Sequence, residues 1–131
     1  MIVAKGTEVH YSTPFSNGTF EAFSDTTPEK GGQGAGFRPH ELLEAALACC
    51  INMWLRTYAN HHKLPLEETV TTVWVNRDKP GETIFEYKIE LQGALTEEQR
   101  SKLLQTAETC PVHRTLSQKL SFQAVPSTDD D

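Results

Sequence analysis

Most of the chemistry open to this 131-residue chain rests on three cysteines, Cys49, Cys50 and Cys110, and on His113. Cys49 and Cys50 are adjacent in an apolar run. On a helix their side chains point about 100° apart, so only one can face a given pocket. Cys50 shares a stripe with Leu43, Ala46, Leu47, Met53 and Trp54, and Cys49 with Leu42, Ala45, Ala46 and Met53. Taken singly, either reads as a small buried hydrophobe, because free cysteine is among the most buried residue types.

Cys110 stands directly before Pro111. Proline suits the first position of a helix, which makes Cys110 the N-cap of a new one. A thiol there faces unpaired backbone N–H groups and the positive end of the helix, and both are expected to lower its pKa. The thiolate is the form that attacks peroxide oxygen or a disulfide. The plainer alternative is that Cys110 closes a helix and fills a gap. His113, three residues on, falls on the same helical side, where it can donate to a thiolate or accept its proton. Cys-x-x-His also raises a metal reading completed by Cys49 or Cys50. Structural zinc, however, draws on paired, closely spaced motifs, and only one half is present.

Other chemistries lack their residues. There is no G-x-S-x-G, no H-E-x-x-H and no obvious carboxylate pair for hydrolysis. Glycines 31, 32, 34 and 36 invite a phosphate-loop reading, but the Lys-Ser/Thr ending is missing and no apolar strand precedes them. The better reading of residues 24–38 is a mobile flap or bulge-rich crossover. His61-His62 read as solvated helix caps, and Glu67-Glu68 and Glu97-Glu98 as exposed charges.

The elements that must position the cysteines follow from patterning. Residues 1–23 are rich in β-favouring types around an Asn17-Gly18 turn signal, which predicts a hairpin. A helix starts at Pro39, with Glu41 and Glu44 in its first turns, and runs apolar nearly all round from Leu42 to Leu55. That predicts a central, buried helix. At about 21 Å the run is too short to span a bilayer. Thr69–Val75 and Thr83–Leu91 read as paired strands around the Asp78-Lys79-Pro80-Gly81 turn. Thr96 and Gln99 form a capping-box pattern for a second helix that breaks at Cys110-Pro111. Val112–Leu120 reads as a short further helix, with Leu116 and Leu120 on one face. Ser121–Val125 reads as a last strand, and 126–131 as a solvated tail. The order gives an α+β class rather than regular βαβ alternation, in a single domain spanning 1–131.

Composition narrows the setting. The net charge of −6 argues against a general binder of nucleic acid or anionic membrane. Met1 to Thr13 lacks the basic flank and apolar stretch of a secretory signal, and three cysteines in that setting argue against a disulfide framework. The expectation is a cytoplasmic protein with no cofactor and no metal.

Two segments carry a family resemblance. Pro39-His40-Glu41-Leu42-Leu43-Glu44-Ala45-Ala46-Leu47-Ala48-Cys49-Cys50-Ile51-Asn52-Met53 resembles the first-cysteine helix of the OsmC/Ohr family. Cys110-Pro111-Val112-His113-Arg114-Thr115-Leu116 resembles its second-cysteine motif. The likeness covers roughly residues 36–125. It implies an intertwined α+β homodimer with long central helices and sites near the interface. It also implies thiol-dependent reduction of small organic hydroperoxides. Cys50 then stands at the peroxidatic position, becoming a sulfenic acid; Cys110 stands at the resolving position and condenses with it to a disulfide; an external dithiol restores both. Members with developed peroxidase sites have Glu directly after the proline, where this chain has His40, with Glu41 one place on. They also hold the thiolate with an Arg from the N-terminal strands, whereas the first arginine here is Arg38, preceded only by Lys5 and Lys30. A Lys does not reproduce the planar fork of Arg. The accessory positions are therefore Arg38, His40, Glu41 and His113. The alternative implied by these departures is a non-catalytic or redox-sensing dimer that binds an apolar ligand at the subunit interface.

Overall fold

Alternation of apolar and charged residues between Phe85 and Leu91 becomes one wet and one covered face of a strand in the computed structural model, which describes residues 1–127. In chain order the elements are β1 (Val3–Ala4), β2 (Thr13–Ser16), β3 (Glu21–Ser24), α1 (Pro39–His61), β4 (Leu66–Asn76), β5 (Ile84–Gly93), α2 (Glu97–Ala107) and α3 (Pro111–Ser117). β4 and β5 pair antiparallel along their length. The register shifts between Leu66 and Glu68, where β4 bulges. Gly93 sits opposite at φ +141, and a Cβ there would run into the Pro65 carbonyl, so this corner requires glycine.

α1 lies across the covered face. Leu47, Ile51, Leu55 and Ala59, spaced four apart, form one stripe and are almost completely buried. Leu66, Leu103, Ala107 and Cys110 complete the core, with Val73, Phe85, Tyr87, Ile89 and Leu91 packed against it. Polar ties lock the layers. Arg56 donates to the carbonyls of Leu66 (2.9 Å) and Glu67 (3.1 Å). The Glu44 carboxylate accepts from the Val75 N–H (2.9 Å), and Thr71 Oγ1 donates to Asn52 Oδ1 (2.6 Å). Arg100 ties α2 to β5 through the carbonyls of Leu91 and Gly93. The capping box forms as its residues imply: Thr96 Oγ1 accepts from Gln99 N–H, and Gln99 Oε1 from Thr96 N–H.

The N-terminal strands form their own sheet in the order β1-β2-β3. Asn17 Oδ1 accepts from the N–H groups of Thr19 and Phe20 and closes the β2–β3 turn, with Gly18 at φ +100. Residues 24–38 cross from β3 to α1 with their backbone tied to buried side chains. Buried Asp25 accepts from the backbone of Thr26, Gln33 and Ala35, and Ser24 Oγ donates to the Phe37 carbonyl. Burial of Asp25 raises its pKa less than these N–H bonds lower it, the Ala35 bond most of all.

Three expectations change. α1 is buried on one stripe rather than all round: the hairpin and α2–α3 cover two sides of it, and Leu43, Cys49 and Met53 remain exposed on the third. α3 ends at Ser117, so Leu120 lies beyond it. No strand forms over Ser121–Val125. Phe122 and Val125 are exposed, and β propensity without a ladder to join does not make a strand. The tail expected over 126–131 lies mostly outside the described residues. Among those described, no helix is long and apolar enough to cross a membrane.

Candidate redox site

Pro111 disfavours a helical conformation for the residue before it, and Cys110 is accordingly extended, at φ −63 and ψ 146. That places it as the N-cap of α3, where Cys110 Sγ accepts from the His113 N–H at 3.4 Å. The neighbouring amide, Val112 N–H, donates to Cys50 Sγ, also at 3.4 Å. α1 thus delivers Cys50 to the same first turn that Cys110 caps. Cys49, one residue earlier, points to the exposed face.

Burial separates the two sulfurs. Cys110 has 0% exposure, whereas Cys50 is half-buried. The expected lowering of the Cys110 pKa is not found. Burial pushes the thiol up, and the hydrogen bond and charge of Cys50 push it further. The N–H groups of His113 and Val112 pull the other way but lose to burial and Cys50 together. The cap geometry is as the Cys-Pro step implies, but its electrostatic consequence is reversed.

His113 is half-buried beside this pair. Its Nδ1 lies 3.3 Å from Ser117 Oγ, and its ring meets Tyr87 edge-on with centroids 6.1 Å apart. Both rings line a groove of about 270 Å³ with Leu47, Phe85 and Leu116 as its apolar wall. Burial raises the Tyr87 pKa, followed by the charges of Glu108 and Cys110. Arg38, His40 and Glu41 lie elsewhere. Glu41 accepts from the Arg38 backbone N–H (2.8 Å) and meets its guanidinium at 3.4 Å, and the Arg38 N–H holds the Glu41 carboxyl below the usual range. His40 is exposed. Glu41 and Arg38 precede Cys50 by nine and twelve residues, about 14 and 18 Å along α1. In one chain they pair with each other rather than with a sulfur. Among the described residues no three His, Cys, Asp or Glu side chains converge to hold a metal.

Two contacts are not encoded in any local motif. Tyr87 meets the His113 ring from β5, and Trp54 Nε1 donates to Thr109 Oγ1 (2.9 Å), one residue before Cys110. The inward phase of Tyr87 in the strand alternation was a usable signal. The Trp54–Thr109 pair spans 55 residues and left none.

The arrangement brings two free cysteine sulfurs, one half-buried and one enclosed, to the same helix turn. Similar folds are known. The chain is similar to an OsmC-like protein from Mycoplasma pneumoniae (22% identity, TM-score 0.74, covering 88% of this chain and 85% of that one). It is also similar to an organic hydroperoxide resistance protein OsmC from Legionella pneumophila (22%, 0.65, 89% and 88%). A third is the organic hydroperoxide resistance protein OhrB of Bacillus subtilis (19%, 0.61, 89% of each chain). No match was found among curated protein sequences. The model of the family described as OsmC-like protein matches residues 31–124, a segment that holds α1, Cys50 and Cys110. The chain therefore belongs to the OsmC-like protein family.

Proposed function

We propose that this protein reduces small organic hydroperoxides with its own thiols. The observation that carries the reading is the meeting of Cys50 and Cys110 at the first turn of α3, each sulfur accepting one of two consecutive backbone N–H groups. The half-buried Cys50 meets substrate, and the enclosed Cys110, kept protonated by burial, waits as the second thiol. The Cys50 thiolate attacks the terminal peroxide oxygen. The O–O bond breaks, the alkoxide leaves and takes a proton as alcohol, and Cys50 becomes a sulfenic acid. Cys110 sulfur then attacks Cys50 sulfur, water departs with the sulfenic oxygen, and a disulfide forms. An external dithiol reduces it by two exchange steps. Two of the structurally similar proteins are organic hydroperoxide resistance proteins, which agrees with this chemistry. The cytoplasm, where thiols are kept reduced, is the compartment it fits.

The working form in this reading is an intertwined homodimer. A second copy covers the exposed Leu43, Cys49 and Met53 stripe of α1, and brings Arg38 and Glu41 to a thiolate they do not reach in their own chain. The test is consumption of an organic hydroperoxide with a dithiol reductant. Cys50→Ser abolishes it in this account, and full activity in that variant ends the assignment.

A second reading has one observation in its favour. Among the described residues no arginine is hydrogen-bonded or ion-paired beside either sulfur, and Arg38 is engaged with Glu41. A non-catalytic or redox-sensing dimer that binds an apolar ligand at the interface fits that arrangement. Cys50 would then react with a thiol-labelling reagent at pH 7 no faster than an ordinary cysteine.

A further inference from the structure

Resting on the reading above, we propose that Trp54 and Thr109 are positioning residues for the resolving step: their hydrogen bond holds Cys110 against Cys50. Trp54 stands one helical turn beyond Cys50 on α1, on the side that faces α2 and α3. Its indole Nε1–H donates to Thr109 Oγ1 at 2.9 Å, and Thr109 is bonded covalently to Cys110. The Thr109 hydroxyl is oriented to receive it, because its own proton goes to the Thr106 carbonyl at 2.7 Å, on the last turn of α2. Thr109 N–H bonds to the same carbonyl, and Cys110 N–H to that of Ala107. These bonds tie the α2–α3 link to α2 but not to α1. Beside the Val112 N–H to Cys50 Sγ bond at the start of α3, the side-chain hydrogen bond that crosses from α1 to this link is the indole to Thr109.

The consequence falls on one step. Condensation of the Cys50 sulfenic acid with the Cys110 thiol forms the S–S bond and releases water, and it needs the two sulfurs at bonding distance. Cys110 is flanked by a helix end and by a seven-residue helix, a short connection whose order depends on its anchors. An anchor one turn from Cys50 fixes the link before oxidation rather than after it, which raises the effective concentration of one thiol toward the other. Attack of Cys50 on peroxide does not involve Thr109.

The test uses exchange with dithiothreitol, so it needs no peroxide and its outcome is independent of peroxidase activity. Protein carrying Cys49→Ser is equilibrated with oxidised and reduced dithiothreitol. Cys50 and Cys110 lose two electrons to the reagent's disulfide, and the protein disulfide is quantified after acid quench and alkylation. Trp54→Phe and Thr109→Val, which remove the donor and the acceptor, are each expected to lower the effective concentration about fivefold, the effect of one net hydrogen bond. Thr109→Ser, which keeps the hydroxyl, is expected to match the parent. A purely structural role, equal in dithiol and disulfide forms, leaves all values unchanged, and that result overturns the proposal. So does a loss in only one of Trp54→Phe and Thr109→Val, or a loss in Thr109→Ser as large as in Thr109→Val.

Discussion

Cys110 is both the cap of α3 and a member of the core, so its two simplest replacements must behave differently. Alanine removes the acceptor of the His113 N–H, a cap loss of about 1 kcal/mol. It also empties the volume of a sulfur that has 0% exposure, which adds about 1 kcal/mol. The sum is about 2 kcal/mol. For a chain of 131 residues the unfolding entropy is about 0.28 kcal/mol/K, so Tm falls by about 7 °C. Serine keeps an oxygen acceptor for the His113 N–H in a better capping residue. Its Tm should fall by less than about 3 °C. The assay is thermal unfolding of reduced protein followed by circular dichroism at one fixed protein concentration. Equal losses in the two variants would refute the cap. Neither variant can form the disulfide, so Cys110→Ser is the informative one for chemistry: it is expected to consume one equivalent of hydroperoxide and stop with Cys50 as a sulfenic acid.

Three further outcomes are expected. Ile51→Ala opens a cavity between α1 and the β4–β5 hairpin at a position with 0% exposure and should cost about 3 kcal/mol in urea unfolding, while a loss under about 1 kcal/mol would contradict the packing described. The Asp25 carboxyl, lowered by backbone N–H bonds, stabilises its loop fully above pH 3.8 and loses that contribution as pH falls below it; at neutral pH Asp25→Asn should speed amide exchange at Gln33 and Ala35, and unchanged protection would count against the clamp. In a Cys49→Ser/Cys50→Ser background Cys110 loses the upward contributions of Cys50, so its alkylation midpoint should lie below that of Cys110 with Cys50 present; an unchanged midpoint would mean that Cys50 does not raise it.

Local chemistry was readable and tertiary enclosure was not. The Thr96–Gln99 capping box, the Asn17 turn, the β5 alternation and the Cys110-Pro111 cap each depend on residues a few positions apart, and each appears in the fold. The sign of the Cys110 pKa depends on how completely α1, α2 and β5 close over it, which no local pattern encodes. The same holds for α1: its sequence gives an apolar surface nearly all round, but which side stays open is decided by the layers packed against it. Ser121–Val125 shows the limit of propensity, since β-favouring residues become a strand only where an edge receives them. Asp25 leaves no signal in sequence, because its role depends on three backbone N–H groups that the fold of the following loop brings together.

The central claim is that Cys50 takes the peroxide oxygen and Cys110 closes the disulfide. It is tested most directly by following an organic hydroperoxide in the presence of a dithiol with the parent protein, Cys50→Ser and Cys110→Ser. The account predicts steady turnover in the parent, none with Cys50→Ser, and, with the dithiol omitted, a single equivalent consumed by Cys110→Ser, which is left as a sulfenic acid where the parent forms a disulfide. Undiminished turnover by Cys50→Ser would contradict it.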